Sequence, residues 1–142
     1  FNLFPAYRRS GARLTYIADD WREVRVRLPL NWKTRNYVGT LFGGSMFAAV
    51  DPVYMMMLIK VLGSGYRVWD KAGRIEFRRP GRGTLYARFS LPRVETDDIL
   101  QRLEAVESVE RVYSVELTDG DGTVHAVAHR TVHISRARKK AG

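Results

Sequence analysis

Cysteine is absent from the 142-residue chain. That excludes disulfides, thiolate metal sites and a cysteine nucleophile together, and it suits a reducing compartment, so a cytoplasmic location is expected. Histidine is scarce, with three residues. His125, His129 and His133 fall four apart, which would suit a metal on a helix. On a strand, as this segment reads, four residues span about 13 Å, too far for two ligands of one zinc, and no metal is expected. No serine sits in a Gly-x-Ser-x-Gly elbow, which removes that route to nucleophilic hydrolysis. Internal repeats and low-complexity tracts are missing, and no targeting segment is expected within residues 1–142, which begin at Phe1 rather than a methionine. There is one long apolar run, Gly43 to Leu62, and it carries Asp51-Pro52 near its middle. A carboxylate at a bilayer centre costs about 2.5–3.5 kcal/mol, so the run is expected to be a buried core helix and not a membrane span.

The length, 142 residues, suits a single domain over 1–142, large enough to bury about two thirds of its unfolded surface without staples. Basic residues outnumber acidic ones 24 to 15, for a net charge of +9, and arginine supplies most of it. Guanidinium groups suit phosphates, which fits nucleic acid, an anionic membrane or a phosphate-bearing ligand such as coenzyme A; arginine-rich solvated faces without a partner fit equally. The densest cluster, Arg136-Ala-Arg-Lys-Lys140, reads as a solvated tail. Nucleic acid is not expected as a partner, because no helix-turn-helix, zinc finger or RNP-like aromatic strand is present.

Strand signals dominate. Phe4 to Arg9 reads as a helical turn or two. Val24, Val26, Leu28 and Leu30 alternate with Glu23, Arg25, Arg27 and Pro29, the period of a strand with one wet face, and Ala12 to Ala18 is expected to pair with it. Tyr66 to Arg79 and Thr84 to Leu91 read as strands joined in a hairpin by Pro80-Gly-Arg-Gly83. Thr96 is a candidate N-cap for a short helix with Ile99, Leu100, Leu103 and Val106 at helical spacing. Glu107 to Thr118 and Thr123 to Ser135 form a last hairpin around Asp119-Gly-Asp-Gly122. Between these lies one long helix, about residues 44–61, apolar around most of its circumference and therefore expected to be wrapped on most sides. The architecture that results is α+β: six antiparallel strands in one sheet curled around a central helix.

The start of that helix carries the chemistry. Gly43 and Gly44 leave backbone amides at a helix N-terminus with no side chain in front of them, able to polarise a carbonyl or serve as a tight turn. Asp51 is an acid in an apolar helix and needs a partner, a wet cleft or a proton; a structural acceptor and a functional carboxylate are both open. Pro52 removes an amide, so the carbonyl of Ala48 loses its partner and the helix should bend there.

These residues resemble a known family. Asn, five residues, His-Gly-Gly and, seven positions on, Asp or Glu is the pattern of the hotdog-fold thioesterases, in particular the phenylacetate-pathway type. This chain has Asn36, Phe42-Gly43-Gly44 and Asp51 in that register, followed by Gly73-Arg-Ile-Glu-Phe-Arg-Arg-Pro80 and Thr84-Leu-Tyr-Ala-Arg-Phe-Ser-Leu91. The run Tyr66-Arg-Val-Trp-Asp-Lys71 after Asp51-Pro52 is most similar to a hotdog subfamily described only as a domain of unknown function.

The resemblance implies an acyl-CoA substrate lying between subunits of a homodimer or homotetramer, with coenzyme A as part of the substrate and no separate cofactor. It implies that the Gly43 amide, helped by Gly44, forms an oxyanion hole, that Asp51 acts as general base or nucleophile, and that Asn36 positions water or the carbonyl. Asp70 falls where relatives carry a water-orienting Ser or Thr, or else pairs with Lys71 or Arg74. Arg78, Arg79 and Arg82 are candidate phosphate contacts, or a solvated edge. Phe42 stands where the family has histidine and Pro52 is a second departure, so a non-catalytic acyl-CoA binding protein on the same fold is the alternative. Spacing supports a shared site independently. Gly44 and Asp51 are separated by roughly 10 Å of helix axis, so one carbonyl cannot meet both within a chain, whereas two antiparallel helices from two subunits could supply one each.

Overall fold

The computed structural model describes residues 4–138. Lys139 and Lys140, part of the expected basic tail, lie outside the described residues. In chain order the elements are α1 (Pro5–Arg8), β1 (Arg13–Ile17), β2 (Glu23–Leu28), α2 (Gly43–Val50), α3 (Val53–Leu62), β3 (Tyr66–Phe77), β4 (Leu85–Ser90), α4 (Arg93–Leu103), β5 (Ser108–Thr118) and β6 (Val124–Arg136). The six strands form one antiparallel sheet in the order β1-β2-β4-β5-β6-β3. It is the expected α+β architecture of a curled sheet and a central helix, the hotdog fold.

Alternation builds the concave face. Val24, Val26 and Leu28 of β2 and Leu85, Ala87 and Phe89 of β4 point inward and are buried, while Arg25, Arg27 and Arg88 point to solvent. The same period on β6 sends Ala126, Ala128, Val132 and Ile134 to the core. Burying each valine, leucine, isoleucine or phenylalanine of this set contributes about 1.5–3 kcal/mol, and on this face the contributions converge on Met46, Ala49, Val50, Val53, Met57 and Leu58 of the central helix.

That helix bends where Pro52 requires. With no proline amide to donate, the carbonyl of Ala48 accepts from Asp51 N–H at 3.3 Å, and the axis divides into α2 and α3 around Asp51-Pro52. The sheet covers one side of the pair. Ala48, Pro52, Met55 and Met56 are half-buried and Ile59 is exposed, so wrapping on most sides is not met within one chain, because a singly curved sheet reaches only one face of its helix.

Two further expectations are corrected. Tyr66 to Arg79 and Thr84 to Leu91 do not form a hairpin: β3 pairs with β6 at one edge of the sheet, and β4 lies between β2 and β5. The Pro80-Gly-Arg-Gly83 signal marks a loop that crosses the sheet end, pinned where Leu41 N–H donates to the Gly81 carbonyl at 2.8 Å. The second concerns α4, which begins at Arg93 with Pro92 as N-cap, not at Thr96. Thr96 is buried within the first turn, donating to the Arg93 carbonyl and accepting from Arg22 Nη1, each at 3.1 Å. The last hairpin forms as expected.

Candidate functional site

Two groups of polar residues meet the central helix, one at its start and one at its bend. At the start, the loop 36–42 is held by Asn36, whose Oδ1 accepts from the amides of Val38 at 3.1 Å and Thr40 at 3.0 Å, and whose Nδ2 donates to Thr40 Oγ1 at 2.8 Å. Asn36 thus spends its side chain on its own loop. Phe42 N–H donates to the Thr34 carbonyl at 2.8 Å, and the Phe42 carbonyl accepts from Ser45 and Met46. No acceptor among the described residues takes the amide hydrogens of Gly43 or Gly44.

Both positions have an aromatic ring close by. A Cβ on Gly43 would fall 2.9 Å from the Phe77 ring, and one on Gly44 would fall 2.6 Å from the Phe42 ring. Both rings are more than half exposed. Beside them opens a cavity of about 480 Å³ lined by Asn36, Thr40, Gly43, Met46, Arg78 and Arg79. The structure therefore brings Asn36, Gly43, Arg78 and Arg79 to one recess, with Gly44 adjoining. Arg82 lies on the turn outside it. Arg78 leans to Glu76 at 3.8 Å, and no carboxylate among the described residues pairs with Arg79 or Arg82.

At the bend, Asp51 projects with half its side chain exposed and accepts from Arg130 Nη2. The same nitrogen lies 3.3 Å from Asp70 Oδ2, so one guanidinium serves two carboxylates. Its side chain is 6 % exposed and its Cζ stands 5.0 Å from the centre of the Phe47 ring. Asp70 Oδ1 and Arg130 Nε are buried without a protein partner.

The sheet assembles this cluster through a β-bulge. Register slips by one between Asp70 and Ala72, with Asp70 opposite Val132 and Gly73 opposite Arg130. A bulge resets the alternation, so Asp70 and Gly73 both face inward. Gly73 leaves the space that the guanidinium fills: a Cβ there would sit 2.8 Å from Arg130 Cζ and 2.9 Å from Phe47. The expected partners of Asp70 are otherwise engaged, Lys71 with Glu110 and Arg74 with Glu76. The bulge turns Asp70 away from both.

Arg130 was not among the candidates from sequence, yet a signal existed. Along β6 the even-numbered positions Ala126, Ala128, Val132 and Ile134 read as one apolar face, and an arginine on that face must find an acid. The spaced histidines do different work on the same strand. His125 meets the Pro80 carbonyl and Asp119, each at 2.9 Å, His129 meets Ser114 at 2.7 Å, and His133 stacks on Trp69.

Burial pushes the Asp70 carboxyl above its ordinary range; Arg130 opposes this and the like charge of Asp51 adds to it. The folded state therefore binds this proton more tightly than the unfolded chain, and its contribution to stability falls as pH rises from the ordinary value of 3.8 through the raised one. Asp70→Asn removes that penalty. Its melting temperature relative to wild type is expected to be most favourable near pH 7 and to lose ground towards pH 4, measured by thermal unfolding across buffers. An advantage that grows on acidification would contradict this.

The chain belongs to the family described as a domain of unknown function (DUF4442), whose model matches residues 3–134. No curated protein matches it in sequence. Among solved structures, it is similar to a Pseudomonas aeruginosa protein described as a probable thioesterase, at 20% identity and a TM-score of 0.80 over 92% of this chain and 86% of the other. A Haemophilus influenzae thioesterase superposes at 15% identity with a TM-score of 0.71, covering 99% and 90%. A mutant thioesterase of Pseudomonas aeruginosa does so at 17% and 0.66, covering 89% and 83%. At such identities the shared property is the hotdog fold.

Proposed function

We propose that the protein is an acyl-CoA thioesterase whose active site is completed by a second copy of the chain. One observation carries the reading: an acid held half-exposed on an otherwise apolar helix, one helix segment beyond two amides that have no acceptor. Amides at a helix start stabilise charge developing on a carbonyl oxygen, and a carboxylate removes the proton of an attacking water. Roughly 10 Å of helix separates them, so the pair is complementary across an antiparallel two-fold rather than within a chain.

In this mechanism the thioester carbonyl oxygen accepts from the Gly43 amide, with Gly44 beside it. Asp51 of the other subunit takes a proton from water, whose oxygen adds to the carbonyl carbon. Collapse of the tetrahedral oxyanion breaks the carbon–sulfur bond, and the proton passes to the departing thiolate. Direct attack by Asp51, giving a mixed anhydride that water then opens, uses the same atoms. Asp70 does not meet the substrate; it holds Arg130, which holds Asp51. Asn36 shapes the loop, and Arg78 and Arg79 supply positive charge for coenzyme A phosphates. The unpaired edge of β3 and the exposed rings of Phe42 and Phe77 favour cover by a second subunit, since a long bare edge is otherwise a liability.

Subunit complementation tests the shared site. Asp51→Asn and Gly43→Val are each expected to be inactive. Randomly reassorted after mixing and refolding, they should regain about a quarter of wild-type thiol release, because half the dimers hold one intact site of two. Recovery at the level of the separate variants would overturn the shared site.

A further inference from the structure

A cavity lies on the side of the central helix that the sheet leaves uncovered. It measures about 680 Å³, within the range of small-molecule sites. Tyr7, Trp21, Met55 and Met56 line it, together with Asp51 and Lys60 of the central helix. The α1 wall is tied down, since Tyr7 OH donates to the Ala49 carbonyl at 2.6 Å. Methionines suit a flexible apolar occupant because they fill irregular space.

Trp21 is the unusual member. It adopts φ 60°, the one non-glycine residue at positive φ among the described residues, where a bulky side chain is strained. Strain of about 1–3 kcal/mol persists where something else is gained. In this conformation the indole stands 5.6 Å from Lys60 Nζ, a cation over an aromatic face, and both residues line the groove.

We infer that this groove takes the acyl chain of the substrate and that the Trp21–Lys60 pair measures its length, selecting straight aliphatic chains of medium length. The inference rests on the thioesterase reading for its substrate class. Asp51 and Lys60 are nine residues apart, roughly 13 Å of helix. An extended hydrocarbon built from bonds of about 1.5 Å advances about 1.25 Å per carbon, so about ten carbons fit between the reacting carboxylate and the Trp21–Lys60 pair. Shorter chains leave apolar wall uncovered, and longer ones press an alkyl end against an ammonium group.

The experiment has two arms. Hydrolysis of butyryl-, decanoyl- and palmitoyl-CoA is measured for wild type, Met56→Trp and Trp21→Gly. Binding of decanoyl-CoA is measured by calorimetry on the Asp51→Asn protein with and without Met56→Trp. Wild type is expected to have its highest kcat/KM on decanoyl-CoA. Met56→Trp fills the groove and should lower the decanoyl-to-butyryl ratio at least tenfold. Trp21→Gly should raise the palmitoyl-to-decanoyl ratio about tenfold, with folding checked by circular dichroism. Hydrolysis whose ratios neither variant moves overturns the groove and leaves the thioesterase standing. Decanoyl-CoA binding weakened by Met56→Trp in a protein that hydrolyses nothing supports the groove and overturns the thioesterase. Binding that Met56→Trp leaves unchanged overturns the groove.

Discussion

Asp51→Asn is expected to remove thiol release from every acyl-CoA the wild type cleaves, by at least about a hundredfold, the lower end of what a general base contributes. The amide keeps the size of the side chain and can still accept from Arg130, but it takes no proton and offers no anionic oxygen to a carbonyl. Little stability should be lost with it. The Asp51 side chain is half exposed, and Arg130 retains Asp70 at 3.3 Å as its counter-ion. Folding and oligomeric state, followed by circular dichroism and size-exclusion chromatography, should match wild type while a free-thiol assay reads no turnover. Turnover within threefold of wild type would remove Asp51 from the mechanism. In that case the helix-bend cluster would be a structural ion pair, and hydrolysis would rest on other groups.

The largest expected effect on stability belongs to Arg130→Met. Methionine can fill part of the same space, but two carboxylates lose their common cation, and Asp70, with a side chain 17 % exposed, stays buried with no charge to oppose its own. Removing one member of a buried ion pair costs about 3–5 kcal/mol, which for a chain of this size lowers the melting temperature by roughly 10–20 °C. The double variant Arg130→Met, Asp70→Asn is expected to recover most of that loss, because it replaces a stranded charge with a neutral amide. A packing defect would not be repaired so, and the cycle separates the two. Activity should stay low in the double variant, since Asp51 then lacks the group that holds it. Arg130→Lys should keep much of the stability but not the alignment, as an ammonium cannot reproduce the planar fork.

The pattern of success from sequence follows the range of the interactions involved. Alternation in β2 and β6, the Asp119-Gly-Asp-Gly122 turn and the bend at Pro52 depend on neighbours a few residues apart, and each is legible from local periodicity and backbone chemistry. The same holds for Gly43 and Gly44, whose open amides follow from their position at a helix start. The partner of β3 does not, because β6 lies some fifty residues downstream and a Pro-Gly turn looks alike whether it closes a hairpin or crosses a sheet. Thr96 looked like a cap because its hydroxyl can accept; in the fold that acceptor is used by Arg22 from a distant loop.

Asp51 shows the division most clearly. An acid in an apolar helix announces from sequence that it needs a partner, and proline after it announces a corner. Nothing near it in the chain names that partner. Arg130 reaches it only because a one-residue bulge turns Asp70 inward, Gly73 leaves room for a guanidinium, and antiparallel pairing sets β6 beside β3. The elements, the bend and the chemical types at the helix follow from short-range sterics and hydrogen bonding along the chain. Which charges meet follows from the fold as a whole, because ion pairing between strands depends on register, and register depends on the whole sheet.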